Sequence, residues 1–242
     1  MRCLTRAKYC FAPILCCFLN LSACRSTSTL SPNWSKPSPC VECVLEARQI
    51  YFTPHAPETS RWRVVSGQDE GAQITIIRSM SAENILTIEE PATRITKIQL
   101  KEDGSCALIS VDSLDEGTRS VFDPPLLMCQ NKLKPDAPLR SASSMQAVLI
   151  ESGTARDQGT ATRTISIDGM ARITTALGTF DCIVVSNHFI GALGKAKIDT
   201  QMTIWIAPQI GSIAEKYAEK ITILGIFTKN SERVIEKLPQ EN

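Results

Sequence analysis

The sequence is poor in the residues that most catalytic chemistry draws on. It has two histidines in 242 residues, His55 in the Pro-flanked stretch "TPHAP" and His188 in "TFDCIVVSNHFI", and no Gly-x-Ser-x-Gly elbow. A nucleophile, base and orienting acid therefore have little to be built from. His188 is in phase with Phe180, Cys182, Val184 and Ser186 along one strand, but six residues of strand put ~20 Å between it and Cys182, which excludes a local dyad. Cys40 and Cys43 form the pair "CVEC" with no second Cys-x-x-Cys and no nearby histidine, so a four-ligand zinc site is excluded. No metal and no cofactor is expected. Lys and Arg (26) are scattered among Asp and Glu (25) without a long basic run, which argues against a nucleic-acid partner. There is no repeat at a fixed period, and helical periodicity is scarce.

What is present begins at the N-terminus. Arg2, Arg6 and Lys8, with no acidic residue, precede "YCFAPILCCFL" at residues 9–19. That run is too short to span a bilayer and has the layout of an export signal. It ends in "LSAC", Leu21 to Cys24, which resembles the lipobox of bacterial lipoproteins. By that resemblance residues 1–23 are a signal peptide and Cys24 becomes the acylated, palmitate-bearing first residue that carries the chain to a membrane. Small side chains at Ser22 and Ala23 let an extended segment enter a narrow peptidase site, and several acyl chains anchor stably where one would not. Arg25 stands where an aspartate is the usual inner-membrane retention signal. The resemblance thus favours an outer membrane lipoprotein facing the periplasm or the surface. An ordinary secretory signal or an uncleaved anchor is the alternative, with Cys24 an incidental thiol.

Loss of the signal takes three of the 26 basic residues against 25 acidic ones, leaving a net charge of about −2. It also takes Cys3, Cys10, Cys16 and Cys17. With Cys24 acylated, Cys40, Cys43, Cys106, Cys129 and Cys182 remain, an odd number that cannot pair completely within one chain in an oxidising compartment.

Residues 24–43 are rich in Ser, Thr and Pro, with one aromatic at Trp34; they read as a tether. Residues 44–242 read as a single β-domain. Runs such as "QITIIRS", "KIQLK", "CALISV", "TRTISID" and "MTIWIA" alternate with branched residues dominant, as a pleated sheet prefers. Turn signals stand at "GQDEG", "KEDG", "DQG" and "IDG". The expected class is mainly β, a curved antiparallel sheet in the form of a half-barrel or β-sandwich, with at most one short N-terminal helix from Ser38 to about Gln49, capped by Ser38. Pro124 and Pro125, within "FDPPLLMCQNKLKPDAPLR", predict a long connection and no central strand.

Three segments in order, "FDPPLLMCQNKLKPDAPLR", "ARITTALGTFDCIVV" and "TIWIAPQIGSIAEK", resemble the TapB-like family of exported bacterial β-proteins, with a weaker match at "YFTPHAPETSRWRVV". Departures fall at Ala176, Asp136 and Ser212. The resemblance implies a curved antiparallel sheet related in shape to the carriers of lipoprotein acyl chains, and it offers no active site to carry over. On physical grounds Gly178 and Gly211 suit positive φ in tight turns. Phe180 and Trp205 suit core anchoring, with a ligand-facing role on a concave sheet as the alternative for Trp205.

"CVEC" alone has a mechanism attached. If Ser38 caps a helix, Cys40 lies in its first turn, where the dipole lowers a thiol pKa and permits redox chemistry; the plainer alternative is a local disulfide. The resulting expectation is a non-enzymatic, lipid-anchored envelope protein whose β-domain binds an apolar small molecule or an envelope protein. A redox protein using Cys40 and Cys43, or a purely structural surface module, is the alternative.

Overall fold

The computed structural model describes residues 34–51 and 57–240. The signal segment, Cys24 and His55 lie outside the described residues. The elements are β1 (Leu45–Glu46), α1 (Ala47–Tyr51), β2 (Glu58–Gly67), β3 (Gln73–Met80), β4 (Ile85–Glu90), β5 (Arg94–Leu100), β6 (Cys106–Ser113), β7 (Thr118–Cys129), β8 (Lys132–Leu133), β9 (Leu139–Leu149), β10 (Ala155–Thr175), β11 (Gly178–Leu193), β12 (Ala196–Ala207), β13 (Gly211–Ile223) and β14 (Phe227–Lys237).

The curved antiparallel sheet closes on itself. Twelve strands form a barrel in the order β10-β11-β12-β13-β14-β2-β3-β4-β5-β6-β7-β9, with β9 returning to pair with β10. Closure removes the unpaired edges that a half-barrel or sandwich would leave. The alternation seen in the sequence sorts side chains between the two faces: Ala161, Arg163, Ile165 and Ile167 of β10 are buried, while Thr162 is exposed and Thr164 and Ser166 are half-buried between them. Leu86, Ile98, Leu126, Ile165, Val185 and Ile204 belong to the main core inside the barrel. Apolar inside and mostly polar outside is the reverse of a lipid-embedded barrel.

One bulge changes the faces. β10 skips a partner between Ile167 and Gly169, so the phase that points inward before Asp168 points outward after it. Ala171 and Ile173 then share a second cluster, on the outer surface, with Cys182, Val184, Trp205 and Ile213. The β10–β11 hairpin overhangs this end of the barrel, and its tip is held by Ala176 N–H donating to Glu236 Oε2 at 3.2 Å. The "IDG" signal is therefore a bulge, and "DQG" likewise lies within β10; "GQDEG" and "KEDG" are turns.

Two further expectations are corrected. The helix from Ser38 to Gln49 is not formed: Ser38 instead bridges Met170 on the edge of β10 that β9 leaves free, and the helix that forms is only Ala47–Tyr51. A strand edge with unpaired backbone groups outcompetes a short isolated helix with a costly nucleus. The stretch around Pro124 and Pro125 is no long connection, because β7 runs through both. Its register to β6 jumps from Val121↔Ser110 to Leu126↔Leu108, so the prolines fall in a bulge where no ladder N–H is needed.

Candidate functional site

The chain before α1 gathers at one end of the barrel and forms its mouth. Residues 34–39 lie as a strap along β10. Ser38 exchanges backbone hydrogen bonds with Met170 at 2.8 and 2.9 Å. Ser35 Oγ donates to Arg172 C=O at 2.8 Å and accepts from Arg172 N–H at 2.9 Å. Trp34 Nε1 donates to Thr174 C=O at 3.2 Å, and its ring meets Trp205 edge-on at 4.6 Å. A Cβ on Gly169 would stand 2.1 Å from the Ser38 carbonyl oxygen, so only glycine lets the strap approach this closely. The last part of the expected tether is thus packed structure, because Trp34 finds an apolar partner that composition alone does not reveal.

Beyond the strap, Cys40 and Cys43 are joined by a disulfide. Cys40 stands seven residues before the start of α1, outside any first helical turn, so the dipole argument for a lowered thiol pKa does not apply to it. β1 pairs with β8, and α1 caps the mouth with Ala47, Ile50 and Tyr51 buried. Tyr51 Oη accepts from Arg163 Nη2 at 3.0 Å inside the barrel. Burial outweighs the Arg163 charge and raises the phenol well above its usual range, so it stays protonated at neutral pH.

Beside α1 an open cleft of about 620 Å³ enters the mouth. Its walls are largely apolar, with Val44, Leu45, Met80, Leu100, Ile206 and Pro208 among them, and Arg48 is the one charged residue lining it. The size falls within the roughly 300–1,000 Å³ of small-molecule sites, and an apolar wall with few polar groups is their usual chemistry. Val44 and Met80 remain 43% and 38% exposed, so the rim is apolar as well. Next to it lies an ion cluster, with Lys237 Nζ donating to Glu58 Oε1 at 2.6 Å and Arg78 at 4.0 Å from Glu58.

Further down the barrel, Arg233 holds Glu90 through two bonds of 3.0 Å. Arg94 approaches the same carboxylate at 3.5 Å. Both guanidinium groups lie over the Tyr217 ring, at 5.9 and 6.0 Å. Tyr217 Oη in turn donates to Glu219 Oε2 at 2.6 Å.

Trp205 and Phe180 belong to the outer cluster. They anchor the overhanging hairpin, and Trp205 faces away from the concave interior where a ligand-facing role would require it. Gly178 and Gly211 take φ of 127° and 85°, and Gly211 also lines the cleft. His188 contacts Asp199 Oδ1 at 2.8 Å across β11 and β12. Cys106 and Cys129 face each other in register on β6 and β7. Burial pushes their thiols up to about 12 and about 11, and that of Cys182 to about 11. Such thiols are poor nucleophiles at neutral pH. Among the described residues no group of three metal-ligating side chains converges.

Arg48, Tyr51, Arg163 and the Glu90–Arg233 pair were not singled out in the sequence. Arg163 carried a usable signal, since in "TRTISI" it holds the phase of Ala161, Ile165 and Ile167 and so had to enter the core or break the pattern. Arg48 carried none.

No known family and no curated protein matches the chain by sequence. Among solved structures it is similar to the crystal structure of the hypothetical lipoprotein YmcC from Escherichia coli K12, at 12% identity and a TM-score of 0.41, covering 81% of this chain and 89% of that one. It is also similar to that of a candidate lipoprotein from Parabacteroides distasonis, at 10% identity and a TM-score of 0.38, covering 78% of this chain and 97% of that one.

Proposed function

We propose that the protein is a lipid-anchored bacterial envelope protein of the TapB-like kind, with a non-catalytic β-barrel that binds an apolar ligand at its mouth. The cleft beside α1 carries this proposal: it is open, apolar-walled and single-cationed, so a molecule with an apolar body and an anionic end matches it. Placement adds support. Trp34 stands ten positions after Cys24, a stretch that at full extension reaches at most ~36 Å. A lipid on Cys24 therefore keeps the mouth, where Trp34 is docked, within that distance of the bilayer holding it. A protein partner seated on the same apolar rim is the second occupant compatible with the exposure of Val44 and Met80.

Two experiments test the two halves. Replacing Cys24 by Ala is expected to abolish acyl labelling and release the chain from membranes; full membrane retention through an intact signal segment would overturn the anchor. Native mass spectrometry of the protein released in mild detergent is expected to show an apolar adduct that Met80→Glu abolishes. A clean mass for the wild type removes the ligand and leaves the partner.

A further inference from the structure

At the end of the barrel opposite α1, the β13–β14 turn carries four of the eight exposed large hydrophobic side chains among the described residues. Ile223, Leu224, Ile226 and Phe227 are 48%, 52%, 75% and 61% exposed. The turn is closed by Ile226 N–H donating to Ile223 C=O at 3.2 Å. Leu224 and Gly225 sit at φ of 57° and 74°, a conformation that Asn-Gly or Asp-Gly adopts readily and a bulky residue adopts at a cost. An exposed leucine in that position satisfies neither backbone preference nor hydration. Leu224 N–H donates to Lys195 C=O at 2.9 Å, which braces the tip on the adjacent β11–β12 turn and holds its side chains outward.

The charge around the tip is of one sign. Residues 193–198 and 220–231 carry Lys195, Lys197, Lys220 and Lys229, all exposed, and no Asp or Glu. The acidic residues of the same rim belong to other turns, Asp69 and Glu70 after β2, Asp115 and Glu116 after β6, and Glu151 after β9. Carboxylates begin just below the tip: Asp157 lies beneath Gly194 and accepts from Gln158 N–H at 2.9 Å, and Asp199 stands opposite Lys220 in the β12–β13 register.

We infer that this hairpin tip is a membrane-insertion element, selective for a lipid surface that carries anionic headgroups. The apolar side chains enter the acyl boundary while the lysines, on long stems, reach the headgroup layer. Shape separates this occupant from a protein. A stable protein interface needs roughly 800 Å² per partner, which one convex turn does not present, whereas a fluid lipid layer needs no complementary surface. The inference does not depend on the mouth cleft. It is compatible with an anchor on Cys24, since the 13 residues of β13 span ~43 Å before tilt, comparable to the reach of residues 24–34, so an anchored barrel can lie over and touch the same bilayer.

The test places a tryptophan at the tip of the full chain, Ile226→Trp, with Phe227→Trp as a second reporter, and mixes it with vesicles whose acyl chains carry bromine. One set is phosphatidylcholine, the other equal parts phosphatidylcholine and phosphatidylglycerol. Fluorescence of the added tryptophan is expected to fall at least twofold in the anionic vesicles only. The wild-type chain, with Trp62 and Trp205 buried and the half-buried Trp34 packed on Trp205, serves as the blank whose quenching is subtracted. Changing the four lysines to Gln is expected to abolish the quenching, each lysine near a membrane contributing roughly a factor of five. Unquenched tip tryptophans in both vesicles would overturn insertion, and equal quenching in both would overturn the anionic selectivity.

Discussion

Replacing Glu90 by Gln should destabilise the barrel measurably, and the loss should disappear in acid. In the folded protein this one carboxylate lies between two guanidinium groups, bonded twice by Arg233 at 3.0 Å and approached by Arg94 at 3.5 Å. Gln keeps the shape and one acceptor but leaves two cations over the Tyr217 ring with no charge between them. Hydrogen bonds to charged groups contribute ~1.5–3 kcal/mol each. The exposure of the Arg233 and Arg94 side chains, 26% and 34%, and the neutral acceptor retained both reduce that, to ~2 kcal/mol net. With a urea slope of ~2–3 kcal/mol/M, the midpoint at pH 7 should fall by ~0.7–1 M.

The sign of the pH dependence follows from the carboxyl itself. Burial alone would raise it, but the bond and charge of Arg233, with the charge of Arg94, hold it below its ordinary 4.5. The stabilisation is therefore fully present above pH 4.5 and is lost as pH falls through the lower folded value. Wild type and Glu90→Gln should converge as the pH is taken down from 4.5. A difference under ~0.5 kcal/mol at pH 7, or a gap that is constant or widens toward acid, would refute the reasoning. An Arg233→Met variant in a double-mutant cycle should return a coupling energy of 1 kcal/mol or more, to order of magnitude.

Trp34→Ala removes the edge-on contact with Trp205 and the bond to Thr174. Because Trp34 is only half-buried, the loss should be ~1–2 kcal/mol, below the 3–5 of a fully buried tryptophan, and limited proteolysis should newly cut between residues 34 and 44; an unchanged digest counts against a docked strap. The thiols give a separate check by peptide mapping after iodoacetamide at pH 8 without reductant. In the native state Cys106, Cys129 and Cys182 should stay unmodified, and in urea all three should react while Cys40 and Cys43 do not. Native labelling of Cys182 would contradict its burial in the outer cluster.

Much of the fold was legible because side-chain alternation is local. "TRTISID" and "MTIWIA" announce which residues share a face, and both became barrel strands. The alternation could not say where a face reverses. That depends on the Asp168 bulge, which moves Ala171 and Ile173 to the outer surface; Trp205 is out of reach of an interior ligand for another reason, since β12 turns Ile204 and Ile206 inward and so turns Trp205 outward. Pro124 and Pro125 misled for a related reason: a proline forbids a ladder bond only where a neighbour offers one, and β6 skips those residues. The helix proposed from Ser38 had a valid local cap, but an unpaired edge of β10, far away in sequence, offered Ser38 a partner.

By itself the sequence determined the mainly β, antiparallel class and the glycine turns at 178 and 211, since these rest on neighbouring residues and on composition. Only the tertiary structure decided that the sheet closes, that residues 34–39 belong to it, and that Arg163, Glu90 and Arg233 meet partners inside. Each of these depends on contacts between residues distant along the chain, such as β9 with β10 or Glu90 with Arg233, whose distances no local pattern encodes.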